Sequence, residues 1–207
     1  TPPARTYDKV GSYDITLTVI LSNGCTYIKE KKGIVNFGDV VNLDLATSKT
    51  SSCLKTDIEL TQTVPNLPSS ISWSYSGTPV NVVSSSQNKQ TIQGTTSGDL
   101  TITVAHNHHG CITTKEFKDF VELKGVKAGF SSPNRYHCEV PHTVDLTNSS
   151  DRMDANSLTY EWTIINENGV EVNTSNNENP SFTFTTLPAI YDVKLVVKGD
   201  NGCTDTL

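Results

Sequence analysis

Nothing in this 207-residue chain reads as a convincing amphipathic helix, which leaves an all-β reading. Charge is also scarce: 18% of the residues are charged, and the formal net charge is −6. Lys and Arg are scattered rather than gathered into a stripe, so neither nucleic acid nor an anionic membrane is an expected partner. No run of about 18 apolar residues occurs, so direct membrane insertion is not expected. The opening "TPPARTYDKVG" has no basic segment leading into an apolar one, hence no signal peptide. That absence does not argue for the cytosol, because the chain reads as cut from something longer. Enzymatic signatures are missing as well: there is no Gly-x-Ser-x-Gly elbow, His-Glu-x-x-His helix, Gly-rich phosphate loop or acid/base pair. The expectation is a protein that is not an enzyme and takes no cofactor.

What the chain does have is Thr, Ser and Asn, 66 of its residues, a composition of solvated strands and turns. One turn recurs: "SNGCTYI" at Ser22, "HHGCITT" at His108 and "DNGCTDT" at Asp200, at intervals of roughly 85 to 92 residues, which is the length of a domain. Each turn follows an alternating strand. Tyr13, Ile15, Leu17 and Val19 share a face in the first, Leu100, Ile102 and Val104 in the second, and Tyr191, Val193, Leu195 and Val197 in the third. Asn and Gly supply the positive φ that such hairpins need, and each cysteine starts the returning strand.

Cys53 and Cys138 form a second series with a similar period, each following a Gly-Cys cysteine by a nearly constant interval. The module this frames predicts disulfides Cys53–Cys111 and Cys138–Cys203, with Cys25 left unpaired. Each would close a loop of about 60 residues and stabilise a small core by roughly 4 kcal/mol in the chain-entropy model. Such bonds imply an extracytoplasmic location. The other reading of these cysteines, a metal site or reactive thiol, lacks any Cys-x-x-Cys. One tryptophan stands in an alternating strand of each module, Trp73 in "SSISWSYSG" and Trp162 in "LTYEWTIINENG". Core packing is the expectation for both, against stacking on a sugar.

Cysteine, a Trp strand, an aromatic-rich segment leading into Tyr-x-hydrophobic-x-Leu, and then Asn-Gly-Cys together resemble the PKD (polycystic kidney disease) domain in the form abundant on secreted proteins of Bacteroidota. "RTYDKVGSYDITLTVILSNGC" and "NPSFTFTTLPAIYDVKLVVKGDNGC" carry the likeness best, with "VPHTVDLTNSS" as the second strand and turn. "SYSGT" and "TIINENG" stand where that family has Phe-Gly-Asp-Gly. The resemblance implies tandem immunoglobulin-like β-sandwiches, non-enzymatic, in the manner of large cell-surface adhesins of the gliding-motility, type IX-exported kind. The expected organisation is the end of one module at 1–37, a full module at 38–124, and a module lacking its last strand at 125–207. The expected role is an extracellular, disulfide-stapled spacer in contact with neighbouring repeats, and with surface polysaccharide or cell-envelope proteins. An accessory binding module of a secreted hydrolase is the alternative.

Three other clusters invite chemistry. His106, His108 and His109 could ligate zinc, but they fill an ordinary polar turn. Asp151, Asp154 and Asn156, with Glu167, Glu171 and Glu178, offer oxygen ligands for calcium without the order of a calcium loop. Asp205-Thr206-Leu207 resembles the short O-glycosylation signal of Bacteroidota. No metal is expected. The runs "KEKK" from Lys29 and "KEFKD" from Lys115 put charge on last strands, where it discourages edge-to-edge pairing.

Overall fold

A computed structural model of the chain describes residues 4–38, 41–63, 70–133, 136–186 and 190–207, and every regular element among them is a strand. Asp39 and Val40, near the start of the expected full module at 38–124, lie outside the described residues. The alternating segments around the first repeated turn form an antiparallel hairpin, β1 (Gly11–Ile20) with β2 (Thr26–Phe37). Its apolar face is uncovered among the described residues: Leu17 is 53% exposed and Ile15 42%.

The middle unit contains β3 (Asp44–Thr47), β4 (Ser51–Cys53), β5 (Ile58–Thr63), β6 (Ser70–Gly77), β7 (Val80–Ser85), β8 (Lys89–Gly94), β9 (Gly98–His108) and β10 (Cys111–Lys124). They make two four-stranded sheets, in the orders β4-β10-β9-β6 and β3-β5-β8-β7. The period-two alternation of β9 turns Leu100, Ile102 and Val104 inward, where they meet Ile58 and Leu60 of β5 and Ile92 of β8 in one buried cluster. Trp73 is half-buried and packs on the rim of this cluster rather than at its centre.

The third unit contains β11 (Phe130–Ser131), β12 (His142–Asp145), β13 (Thr147–Asn148), β14 (Leu158–Asn166), β15 (Glu171–Ser175), β16 (Ser181–Phe184), β17 (Tyr191–Gly199) and β18 (Thr204–Thr206). Its largest sheet runs β15-β14-β17-β18, and β12-β16 and β11-β13 are separate pairs. Trp162 is fully buried, donates its indole N–H to the Asn177 carbonyl at 2.9 Å, and meets Phe130 edge-on at 5.1 Å. A short last strand is present after all: β18 pairs with β17, and Leu207 and Leu195 exchange backbone hydrogen bonds. The chain is thus all-β, with strands arranged as β-sandwich modules and a separate apolar cluster in each of the two fuller units.

His106, far from forming a metal site, points into the middle core at 1% exposure, and neither ring nitrogen has a hydrogen-bond partner among the described residues. Burial, aided by the charge of neighbouring His108, holds its pKa below the ordinary 6.5. The folded state therefore prefers the neutral ring, and stability falls as pH drops below the unfolded-state value. Chemical denaturation of the wild type should show the middle module weakening as pH falls below about 6.5, and His106→Leu should flatten that dependence. Equal pH slopes would contradict this account.

Candidate functional site: the junction between the sandwiches

The repeated turn has the same geometry in the first and third units. Gly24 and Gly202 both have φ of 84°, and Gly110 in the middle unit has 91°. This is left-handed backbone that a side chain resists. The Cys25 amide donates to Asn23 Oδ1 at 3.1 Å, as the Cys203 amide does to Asn201 Oδ1 at 3.0 Å. Asn-Gly is therefore required twice over, the glycine for its φ and the asparagine to accept from the cysteine amide. The turn holds each cysteine at the tip of a hairpin, at one pole of its unit.

Cys203 is bonded to Cys53, at a Cα–Cα distance of 5.5 Å and a sequence separation of 150 residues. Cys25, Cys111 and Cys138 are free thiols. The pairings expected from spacing, Cys53–Cys111 and Cys138–Cys203, are therefore corrected: the bond joins two modules instead of closing one. Register supplies the reason. Parallel pairing of β4 with β10 sets Cys53 beside Lys124, at the far end of the strand that Cys111 begins. At about 3.3 Å per residue the two cysteines of the middle module stand about 40 Å apart, whereas a disulfide needs Cα atoms within about 7 Å.

Around the bond the junction is tied by polar contacts. Lys55 Nζ lies 2.8 Å from Asp205 Oδ1, while Asp205 Oδ2 accepts from the Ala128 amide at 3.0 Å. Asp154 accepts from the Gly125 amide at 2.7 Å and from Asn201 Nδ2 at 3.0 Å, and Asn201 Nδ2 also donates to the Gly125 carbonyl at 3.1 Å. Gly125 itself has no room for a side chain, since a Cβ there would come within 2.5 Å of Leu54. For Asp205, burial opposes the charge, but the Lys55 hydrogen bond, the Ala128 amide and the Lys55 charge outweigh it. The carboxyl is held below the ordinary 3.8.

Several residues singled out for ligand chemistry thus serve as structural links. Asp154 and Asp205 tie the junction, Asp151 Oδ1 accepts from the Met153 amide at 2.9 Å, and Asp200 Oδ1 accepts from the Asn156 amide at 2.9 Å. Among the described residues no group of three or more His, Cys, Asp or Glu is placed to hold a metal ion. An open cleft lies on the third unit between Tyr160, Glu161, Asn177, Glu178 and Lys198. Burial, then the charge of Glu178, raises the pKa of the Tyr160 hydroxyl in it. The junction pairing escaped sequence reasoning because Lys55 and Asp205 have no local signature. The Cys53–Cys203 link escaped it because Cys53 pairs beside the far end of the strand that Cys111 begins, a relation that only the sheet register reveals.

Asp205→Asn should lower stability near neutral pH by roughly 0.5–1.5 kcal/mol, the size of a hydrogen-bond loss at a largely solvated ion pair. A lowered carboxylate pKa contributes above the unfolded-state value and is lost as pH falls through the folded one. The gap between wild type and variant in denaturant titrations should therefore close below about pH 4. A gap that persists in acid would show that the asparagine costs packing and not charge.

No protein-family model and no curated protein matches the chain. Among solved structures it is similar to fibronectin(III)-like modules of Clostridium thermocellum CbhA, at TM-score 0.32 and 11% identity over 79% of this chain and 91% of that one. It is also similar to a chain in the mouse coronavirus receptor-binding domain complexed with its murine receptor, at TM-score 0.34 and 12% identity over 80% and 96%. A third is the Yersinia pseudotuberculosis adhesin InvE, at 0.29 and 14% over 80% and 57%.

Proposed function

We propose that the chain is a non-catalytic spacer segment of a large secreted adhesin at the cell surface, built from tandem PKD-like modules of the Bacteroidota type. Gliding-motility adhesins exported by the type IX system are the class it fits. The observation that carries this reading is the disulfide from Cys53 to Cys203 across a module junction. A bond of this kind persists in an oxidising medium, and its effect is to hold consecutive modules end to end. Its partners are the neighbouring repeats of the same chain, and the surface polysaccharide or envelope proteins met by the regions it projects. The rival reading, a binding accessory of a secreted hydrolase, asks for aromatic side chains aligned on one exposed face. Tyr27 and Tyr136, the most exposed tyrosines among the described residues, stand on different units.

The position of the bond has a mechanical consequence. Tension applied at the ends of this chain passes from Cys53 through the sulfurs to Cys203, so the stretch between them carries none of it. That stretch stores about 500 Å of extended chain. Single-molecule pulling from the two termini should release that length only after reduction or in a Cys53→Ser variant. Equal contour length with and without reductant would refute a mechanical role for the bond.

A further inference from the structure

The outer edge of β2, unpaired among the described residues, matches in register the edge of β10 that carries Cys53. In the middle unit Leu123 of β10 pairs with Gly98, and the next residue, Lys124, lies beside Cys53 of β4. In the first unit Phe37 of β2 pairs with Gly11, so the next residue, Gly38, holds the place of Lys124. Among the described residues β2 pairs only with β1, whereas β10 carries β4 on its outer edge. Cys111 stands where Cys203 stands at the other junction: a Cβ on Gly38 would come within 2.8 Å of its sulfur and would run into the His108 carbonyl. A half-buried free thiol thus faces an unfilled strand edge, at the spot where the other junction has its disulfide.

We propose that the β2 edge at Asn36, Phe37 and Gly38, together with the Cys111 thiol, is a covalent docking site for a Ser-Ser-Cys strand of a module built like the middle one. The incoming strand pairs in parallel with β2 as β4 does with β10, and its cysteine bonds to Cys111. In the assembled protein the two thiols give up two protons and two electrons to a disulfide-bearing oxidant, which leaves as its dithiol. The inference deepens the spacer reading by making the inter-module bond a repeating one.

The probe is the peptide Lys-Thr-Ser-Ser-Cys-Leu-Lys-Thr, residues 49–56 of this chain, carried as its mixed disulfide with thiopyridine. The Cys111 thiolate attacks the peptide sulfur, the peptide–thiopyridine bond breaks and thiopyridone leaves with the electron pair, so no further oxidant is consumed. The full chain is treated with the peptide, with a shuffled peptide or with iodoacetamide, and each cysteine is followed by mass spectrometry. Iodoacetamide should favour the exposed Cys25 and Cys138 over half-buried Cys111. The peptide should reverse that order and reach Cys111 roughly tenfold faster than the shuffled one through local strand pairing. Gly38→Ala, which displaces the edge from the thiol, should abolish the preference. If the peptide follows the iodoacetamide order, or shuffling leaves the rate unchanged, the docking site is refuted. The pulling experiment uses only Cys53 and Cys203, so the spacer reading stands or falls separately.

Discussion

The bond between Cys53 and Cys203 is the constraint around which the junction is arranged. It can form only if the hairpin tip of the third unit reaches the end of β10, and the neighbouring residues are chosen to allow that approach. Gly125 leaves space for Leu54, Asn201 and Asp154 satisfy its backbone groups, and Asp205 holds both Lys55 and the amide of Ala128. The two apolar clusters share no buried residue. Polar links and one covalent bond therefore tie the junction between the modules.

The same economy shows inside the modules. Each core is a thin layer of inward residues from alternating strands, with Thr, Ser and Asn on the outer faces, so little apolar area supports each fold. A cross-link spanning 150 residues restricts the unfolded ensemble of both modules at once. The middle unit also tolerates buried polar groups without partners: the Gln62 side-chain amide and the His106 ring both lack hydrogen bonds among the described residues.

Much of this was legible in the residues. Alternation located β1, β9 and β17 and named the inward faces of β9 and β17, because a half-buried strand writes its burial in a period of two. Asn-Gly before cysteine located the hairpins, because few other residues accept that backbone. Trp162 lies at the core as expected, while Trp73 sits at a rim. The cysteine pairing was misread because spacing along the chain was taken as closeness in space. A cysteine that begins a long returning strand and one that pairs beside the end of that strand lie at opposite poles. The structural links made by acidic loop residues were not legible for a related reason: Asp154 and Asp205 have partners far along the chain, which composition does not reveal.

Pole-to-pole placement has a further consequence for any array built this way. A cysteine at each end of a rigid module cannot meet its own partner, but it meets the opposite pole of the next module wherever the linker is short. Cys203 and Cys53 show that encounter completed, and Cys111 beside Gly38 shows the same approach with one strand absent. The one disulfide among the described residues joins neighbours rather than closing a module. A staple of this kind stiffens the array where a chain of independent domains is weakest, at the linkers. It does so without asking more of cores that have little apolar area to give.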